Sequence, residues 1–196
     1  MAAAEKAALR RAVRAAWMGE EQRARESAAL CGHLLQSAWY QAAQVVGAYW
    51  PMRREADVTP LLKDAIARGK TLALPLVEGS RAMSFRRVPS LDALRPGAYG
   101  LLEPEPGLDV MPAEALSLLI VPVEAVDRRG FRLGKGGGYY DAYLPAVRCP
   151  TIGAVMSWQW RESIPLEPWD QPLNAAADAD GIHLFETGYK ERNGVL

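Results

Sequence analysis

Residues 130–141 read Gly130-Phe131-Arg132-Leu133-Gly134-Lys135-Gly136-Gly137-Gly138-Tyr139-Tyr140-Asp141. Four of the five positions from 134 to 138 are glycine, with cations at Arg132 and Lys135 and a carboxylate at Asp141. Glycine permits positive φ and close approach of a ligand, and consecutive N–H groups in such a loop bind anions. The run therefore predicts a polyphosphate site in which Asp141 holds an accompanying divalent cation. A flexible linker is the alternative, but linkers are rich in Gly and Ser rather than in Tyr-Tyr-Asp.

The order of residues in this loop excludes two common nucleotide-binding motifs. A Walker A loop has Ser or Thr after its lysine, whereas Gly136 follows Lys135. A dinucleotide fingerprint counted from Gly134 requires a glycine where Tyr139 stands. An apolar run at 116–122, typical of a buried strand, precedes the loop, and residues 139–144 read as a helix. The order is thus strand, turn, glycine loop and helix.

The remainder of the chain alternates between helical and extended patterns. Helices are predicted at 2–18, 20–38, 57–68 and 139–144, and strands at 44–49, 71–74, 83–85, 116–122 and 151–156. Residues 88–114 and 160–181 read as irregular connections. This pattern predicts an α/β fold, with residues 1–196 as a single three-layer domain, a mainly parallel sheet flanked by helices, and residues 1–38 as an N-terminal helical pair packed on it. Ligands of such sheets bind beyond the carboxyl ends of the strands.

Composition narrows the classes of protein. A chain of 196 residues with 23 Lys plus Arg and 23 Asp plus Glu has no basic excess, which argues against a general nucleic-acid binder. No apolar run approaches the roughly 20 residues that span a bilayer, and the amino end lacks the apolar core of a signal peptide. Cys31 and Cys149 are far apart and read as reduced thiols. We expect a cytoplasmic monomer that binds neither nucleic acid nor membrane.

The central motif, taken with Leu119-Ile120-Val121-Pro122 and Asp127 before it, resembles the signature of the 5-formyltetrahydrofolate cyclo-ligase (5,10-methenyltetrahydrofolate synthetase) family. Further stretches resemble the patterns of that family in the same order along nearly the whole chain. They are Lys6 and Arg10; Tyr49, Pro51, Glu55 and Asp57; Met83 and Phe85; Gly97, Gly100, Glu103 and Pro104; and Gln159, Pro165 and Asp170.

The resemblance implies cyclisation of 5-formyltetrahydrofolate to 5,10-methenyltetrahydrofolate, dependent on ATP and Mg²⁺, with ADP and phosphate released through a phosphorylated formyl oxygen. It implies catalytic roles for Arg132 and Lys135 and magnesium ligation by Asp141 and Asp170. The implied ATP-binding residues are Lys6, Arg10, Arg132, Leu133, Gly134, Lys135, Gly136, Gly137, Gly138, Tyr139, Tyr140 and Asp141. The implied folate-binding residues are Tyr49, Glu55, Met83 and Tyr139.

Several of these residues also have ordinary structural readings. Lys6 and Arg10, one helical turn apart, read on their own as a solvated helix face. Asp57 reads as a helix N-cap. Glu55 follows a different strand from the glycine loop, so we expect it to contact a different part of the complex. The tryptophans at positions 158, 160 and 169 belong either to the core or to a stacking surface. His33 reads as structural, and His183 has no assigned role.

The chain departs from the usual family pattern at four positions. Val123, Val126, Ala142 and Trp169 stand where Gly, Phe, Arg and His are usual. The first two read as packing changes, whereas alanine at 142 removes a cation and bears on turnover. Two other function classes therefore remain open. One is a catalytically weak member that binds or senses reduced folate and nucleotide; the other is an enzyme of similar fold acting on a phosphosugar or an acyl-CoA, which would require its own acid or nucleophile beside the loop.

Overall fold

An eight-stranded sheet forms the centre of the molecule in the computed structural model, which describes residues 2–97 and 100–186. The strands are β1 Val45–Gly47, β2 Thr71–Gly79, β3 Ala82–Val88, β4 Leu94–Pro96, β5 Leu102–Pro104, β6 Val110–Met111, β7 Leu118–Pro122, β8 Ala125–Asp127, β9 Arg132–Leu133, β10 Thr151–Ala154, β11 Trp160–Arg161, β12 Ala175–Ala177 and β13 Ile182–Leu184. The α-helices are α1 Ala2–Ala15, α2 Glu20–Gln36, α3 Ala38–Ala42, α4 Thr59–Ala67 and α5 Tyr139–Tyr143.

The order of strands in the large sheet is β13-β12-β10-β7-β1-β2-β3-β6. The five central strands, from β12 to β2, are mutually parallel, whereas β13, β3 and β6 pair in antiparallel fashion at the two edges. Two small sheets, β11-β8-β9 and β4-β5, lie outside it. The predicted α/β class, with a mainly parallel sheet flanked by helices, is confirmed.

Strand β7 shows why an unbroken apolar run is required at the centre of the sheet. Successive side chains of a strand point to opposite faces. Leu118 and Ile120 belong to the core that α1, α2, α3 and α4 cover, whereas Leu119 and Val121 belong to the core on the side of α5. Both faces of β7 are therefore dry, so no polar residue can be accommodated at these positions.

The N-terminal helices match the predicted pair with shorter boundaries. Helix α1 ends at Ala15 rather than at residue 18, and α2 ends at Gln36. Ser37 is extended and accepts a hydrogen bond from the backbone N–H of Tyr40, so it starts the separate short helix α3. Helix α4 begins at Thr59, two residues later than predicted; Asp57 lies one residue before the N-cap, and its carboxylate still accepts the Thr59 N–H.

Two segments predicted to be irregular contain strands, so those predictions were wrong in part. Residues 88–114 include β4, β5 and β6, and residues 160–181 include β11 and β12. Strand β12 is three alanines, which have low strand propensity, and it forms because β10 and β13 pair with it on both sides. Similarly, β2 continues past Leu74 to Gly79 because Pro75 is accommodated opposite Phe85 of β3.

The chain order reverses at β1, which lies between β2 and β7. A crevice forms at such a switch point beyond the carboxyl ends of the strands. The segments that leave β1 and β7, together with the glycine loop, meet in this crevice. Within the described residues, no helix has the length and apolar character needed to cross a membrane.

Candidate active site

A cavity of about 690 Å³ occupies the crevice at the carboxyl ends of β1 and β7. Its volume lies in the usual range for small-molecule sites. The structure brings to this one cavity every residue for which the sequence predicts ligand contact. Those residues are Lys6, Arg10, Tyr49, Glu55, Met83, Arg132, Leu133, Gly134, Lys135, Gly136, Gly137, Gly138, Tyr139, Tyr140, Asp141 and Asp170.

The buried carboxylate of Asp127 stabilises the turn that precedes the glycine loop. A hairpin of β8 and β9, absent from the sequence prediction, separates the loop from β7. Asp127 at the end of β8 is 0% exposed and accepts hydrogen bonds from the backbone N–H groups of Arg129, Phe131 and Ile164. It also forms an ion pair with the guanidinium of Arg129 at 2.6 Å. These bonds fix the turn that leads into Arg132.

Three alternate glycines of the loop each face an arginine. A Cβ placed on Gly134 would lie 2.8 Å from Nη1 of Arg132. A Cβ on Gly136 would lie 3.6 Å from Cζ of Arg10, and a Cβ on Gly138 would lie 3.1 Å from Nε of Arg81. The missing side chains thus allow guanidinium groups from three separate elements to approach the loop backbone.

Arg132 is the most deeply placed cation of the cavity. It is 6% exposed and donates to Asp141 Oδ1 at 2.7 Å, while its guanidinium lies 5.3 Å from the ring centre of Tyr140. Burial lowers the pKa of Arg132, and the charges of Asp141 and Asp170 oppose that shift. The buried Nε finds no hydrogen-bond acceptor among the described residues. A buried donor left in this way is costly unless a ligand supplies the acceptor.

Helix α1 carries cations at positions 6, 10 and 14, and the first two, Lys6 and Arg10, line the cavity. Lys6 contacts Asp170 at 2.6 Å and Glu167 at 2.9 Å. Burial alone would lower the pKa of Lys6, but hydrogen bonds to these two carboxylates raise it above its ordinary value. Arg10 donates to the Gly134 carbonyl at 2.7 Å, and Arg14 donates to Glu124 at 2.8 Å. The helix face is therefore not simply solvated.

Glu55 and Lys135 form an ion pair at 3.1 Å. Glu55 therefore touches the glycine loop, although it follows a different strand; its contact with a different part of the complex stays a prediction. Glu55 is 5% exposed and also accepts the backbone N–H of Met52 at 2.8 Å. The carboxylate is thus fixed by one backbone donor and one charged donor.

Apolar side chains from the β2–β3 hairpin and the following segment form another part of the cavity wall: Leu74, Pro75, Val77, Met83, Leu101 and Leu102. The hydroxyl of Tyr140 is buried and has no hydrogen-bond partner among the described residues. Burial, with the nearby charge of Glu55, raises the pKa of Tyr140, so the hydroxyl is a neutral donor. Such an apolar surface with a few polar groups suits a flat heterocyclic ligand.

Comparison with known proteins identifies the family of this chain. Residues 2–178 match the family model described as the 5-formyltetrahydrofolate cyclo-ligase family. This chain belongs to that family. It is 32% identical over 139 residues to the 5-formyltetrahydrofolate cyclo-ligase of Escherichia coli strain K12, covering 68% of this chain and 76% of that protein. It is 33% identical over 161 residues to that of Mycolicibacterium smegmatis, covering 77% and 80%.

Solved structures agree with the family assignment. The NMR structure of Aquifex aeolicus 5,10-methenyltetrahydrofolate synthetase superposes with a TM-score of 0.81 at 31% identity, covering 93% of this chain and 94% of that one. A Mycoplasma pneumoniae 5,10-methenyltetrahydrofolate synthetase superposes with a TM-score of 0.72 at 18% identity, a likeness of fold alone. The family expected from the sequence motifs is confirmed.

Sequence reasoning missed several residues that line the cavity of this family member. The largest omissions are charged: Arg81, Glu124 and Glu167. None of the three is itself a motif position, so its place in the cavity depends on tertiary structure. Of the three tryptophans left open, Trp169 lines the cavity and is 53% exposed.

The other two tryptophans, at positions 158 and 160, pack inside the protein. Trp158 makes an edge contact with Trp17 at 5.3 Å between ring centres. Trp160 donates to Asp178 at 2.9 Å, and His183, for which the sequence predicted no role, contacts the same carboxylate at 2.9 Å. Stacking on a ligand is thus open to Trp169 alone of these three.

The predicted magnesium ligands stand near one another but are engaged with protein cations. Asp141 contacts Arg132, and Asp170 contacts Lys6. No cluster of three or more His, Cys, Asp or Glu side chains suited to a metal ion occurs in residues 2–97 and 100–186. Mg²⁺ is commonly held by one or two carboxylates together with substrate phosphates. The donor set therefore fits a magnesium ion that enters with a nucleotide.

The support of the loop by Asp127 yields a stability prediction. Asp127→Asn should lower the free energy of unfolding by about 3 kcal/mol, because an amide N–H₂ would then face backbone donors in a dry site. Arg129→Ala, which removes a half-exposed cation from the same carboxylate, should cost less than about 1 kcal/mol. Urea unfolding of the two variants and the parent chain measures both values. Equal costs for the two variants would contradict the assignment of Asp127 as the support of the loop.

Proposed function

We propose that this chain converts 5-formyltetrahydrofolate to 5,10-methenyltetrahydrofolate in a reaction that requires ATP and Mg²⁺. The observation that carries the proposal is a single cavity lined both by an arginine-flanked glycine loop and by an apolar hairpin wall. The first surface suits a polyphosphate and the second suits a folate ring system. Phosphoryl transfer between two bound substrates requires such a shared site.

The chemistry proceeds in two steps. The formyl oxygen, made nucleophilic by the N5 lone pair, attacks the γ-phosphorus of ATP; the bond from phosphorus to the β-phosphate oxygen breaks, and ADP is released. N10 then attacks the activated formyl carbon and loses its proton. The bond from carbon to the phosphorylated oxygen breaks, so phosphate departs and the methenyl cation remains. No covalent intermediate with the protein is needed.

Positioning and charge neutralisation are the main requirements of this reaction. We assign Arg132 and Lys135 to the transferring phosphoryl group, and Lys6 and Arg10 to the remaining phosphates. In the structure, Lys6, Arg132 and Lys135 are paired with carboxylates. Phosphate oxygens would replace those carboxylates, so the ion pairs keep the cations in place before ATP arrives. The Leu133-to-Asp141 backbone would supply further N–H donors.

We assign Asp141 and Asp170 to Mg²⁺. Asp141 contacts Arg132 at 2.7 Å, and the charges of both carboxylates oppose the lowering of the Arg132 pKa by burial. Bound there, Mg²⁺ would neutralise part of the phosphate charge. Displacement of the two carboxylates from Arg132 and Lys6 by phosphate would release them for this role.

Tyr49, Glu55, Met83 and Tyr139 are proposed folate contacts. Tyr49 donates its hydroxyl to the Ala56 carbonyl at 3.0 Å, so its ring presents a fixed apolar surface. Glu55 offers the only carboxylate of this group and suits the polar edge of a pterin. A cytoplasmic monomer that acts on these small molecules, without nucleic acid or membrane, remains our proposal from composition.

One observation favours a second candidate function. Ala142 lines the cavity where the family usually has arginine, so the first turn of α5 contributes no cation there. A member that binds reduced folate and nucleotide but turns over weakly would show this feature. Tight binding of both ligands without release of ADP would identify it.

The reaction itself is tested by the absorbance of the methenyl product. Purified protein with 5-formyltetrahydrofolate at neutral pH should form product only when ATP and Mg²⁺ are both present, because the formyl oxygen leaves only after phosphorylation. Acid-catalysed cyclisation without protein is subtracted. An equal rate without nucleotide would exclude phosphorylation of the formyl oxygen.

The ion pair between Lys135 and Glu55 predicts coupling between the two substrates. Lys135→Ala should lower kcat/KM for ATP by about 10- to 1000-fold, since it removes one positioned charge. Glu55→Gln should mainly raise the KM for 5-formyltetrahydrofolate. Because the two side chains are in contact, the double variant should lose less than the product of the single effects.

Steady-state kinetics of the single and double variants measure this coupling. Lys63→Ala, on the exposed side of α4 and outside the cavity, is the matched control and should leave both constants unchanged. Independent, multiplicative losses in the double variant would show that the pair has no functional role.

A further inference from the structure

Arg81 lies at the turn between β2 and β3 and is the third arginine of the glycine loop. Its Nε would lie 3.1 Å from a Cβ on Gly138, and its side chain lines the cavity. Neither the sequence motifs nor the roles assigned above use it. Arg132 and Arg10 face Gly134 and Gly136 in the same way, so Arg81 continues a series along the loop.

The backbone of Arg81 is in an unfavourable conformation. Its φ is +57°, and no other non-glycine residue among the described positions has a positive φ. Hairpin turns usually place Gly or Asn at such left-handed positions, because a larger side chain is strained there. Strain that a structure retains is often found at functional sites. The hairpin therefore keeps an arginine where glycine would fold more easily.

Arg81 also differs from the other cations in its partners. Lys6, Arg132 and Lys135 are paired with carboxylates. In the part of the chain that the structure describes, no hydrogen bond or ion pair involves the Arg81 side chain, which is exposed at the cavity wall. A guanidinium without an internal acceptor can take two oxygens of an incoming anion in bidentate fashion.

The position of Arg81 in the cavity indicates which anion it would bind. It lies against the last glycine of the loop, and the same hairpin supplies Val77 and Met83 to the apolar wall. It therefore stands where the glycine loop and the apolar wall meet. On the proposed function, the group at that junction is the phosphoryl group in transit between nucleotide and folate.

We propose that Arg81 binds the γ-phosphoryl group of ATP and holds it as it passes to the formyl oxygen. The bond between phosphorus and the ADP oxygen breaks, and a bond between phosphorus and the formyl oxygen forms. Arg81 neither gains nor loses a proton. The inference rests on the proposed function for the identity of the acceptor. The carboxylates of the folate glutamate tail are a second source of oxyanions, and the experiment separates the two.

The decisive experiment compares ADP with a non-hydrolysable ATP analogue by titration calorimetry. Arg81→Ala should weaken binding of the analogue by about 10-fold or more, the usual effect of one charge-assisted contact. Binding of ADP should change less than about twofold, since ADP lacks the γ-phosphate. Arg87→Ala is the matched control: Arg87 is exposed on the same strand β3 but lies outside the cavity, so both affinities should stay unchanged.

Equal weakening of ADP and analogue, or no weakening of either, would overturn the proposal. A rise in the KM for 5-formyltetrahydrofolate with unchanged nucleotide affinities would instead assign Arg81 to the glutamate tail and would also overturn it. The titration requires no turnover, so it tests the γ-phosphate contact independently of the reaction. If Arg81→Ala weakened only the analogue but the parent chain formed no methenyl product, the proposed function would be refuted and the γ-phosphate contact would stand.

A second variant separates the role of Arg81 from a structural one. Arg81→Gly removes the strained side chain, so the midpoint of thermal unfolding should not fall, while the analogue affinity should fall as in Arg81→Ala. Arg81→Lys should recover only part of the affinity, because an ammonium cannot take two oxygens in the fork geometry. A marked loss of stability in Arg81→Gly would show that the arginine serves the hairpin instead.

Discussion

The absence of side chains on the glycine loop is the constraint on which the site depends. A Cβ at Gly134 or Gly138 would meet a guanidinium within 2.8 and 3.1 Å, respectively. Gly138 also has a φ of +72° and is the N-cap of α5. Any larger residue would push an arginine away and strain the turn. Three charged groups and a row of backbone donors can share so small a volume because the loop itself occupies almost none of it.

Carboxylates hold two of the cavity cations, Lys6 and Arg132, in place. Ion pairs in a partly dry cavity contribute little net stability, since desolvation offsets most of the Coulomb attraction. Their value is positional: Lys6 is fixed between Asp170 and Glu167, and Arg132 against Asp141. On the proposed function, a triphosphate that replaced these carboxylates would find the donors already in place, which would lower the entropy lost on binding.

Local patterns in the sequence predicted the fold class and the central motif. An apolar run such as 118–122 favours a buried strand, and a glycine cluster favours a ligand-binding loop, whatever the distant segments of the chain do. Contacts between distant segments were beyond that reasoning. Strand β12 forms because neighbouring strands pair with it, not because its three alanines favour a strand. The pairing of Glu55 with Lys135, and the approach of Arg81 to Gly138, follow from how loops fold back over the sheet.

The central claim is that the oxygen of the formyl group leaves as part of phosphate. The most direct measurement uses 5-formyltetrahydrofolate labelled with ¹⁸O in the formyl group, with unlabelled ATP, Mg²⁺ and the parent chain. Mass spectrometry of the released phosphate should show one ¹⁸O atom for each methenyl product formed. Unlabelled phosphate alongside labelled water would show that ATP is hydrolysed separately and would contradict phosphoryl transfer to the substrate.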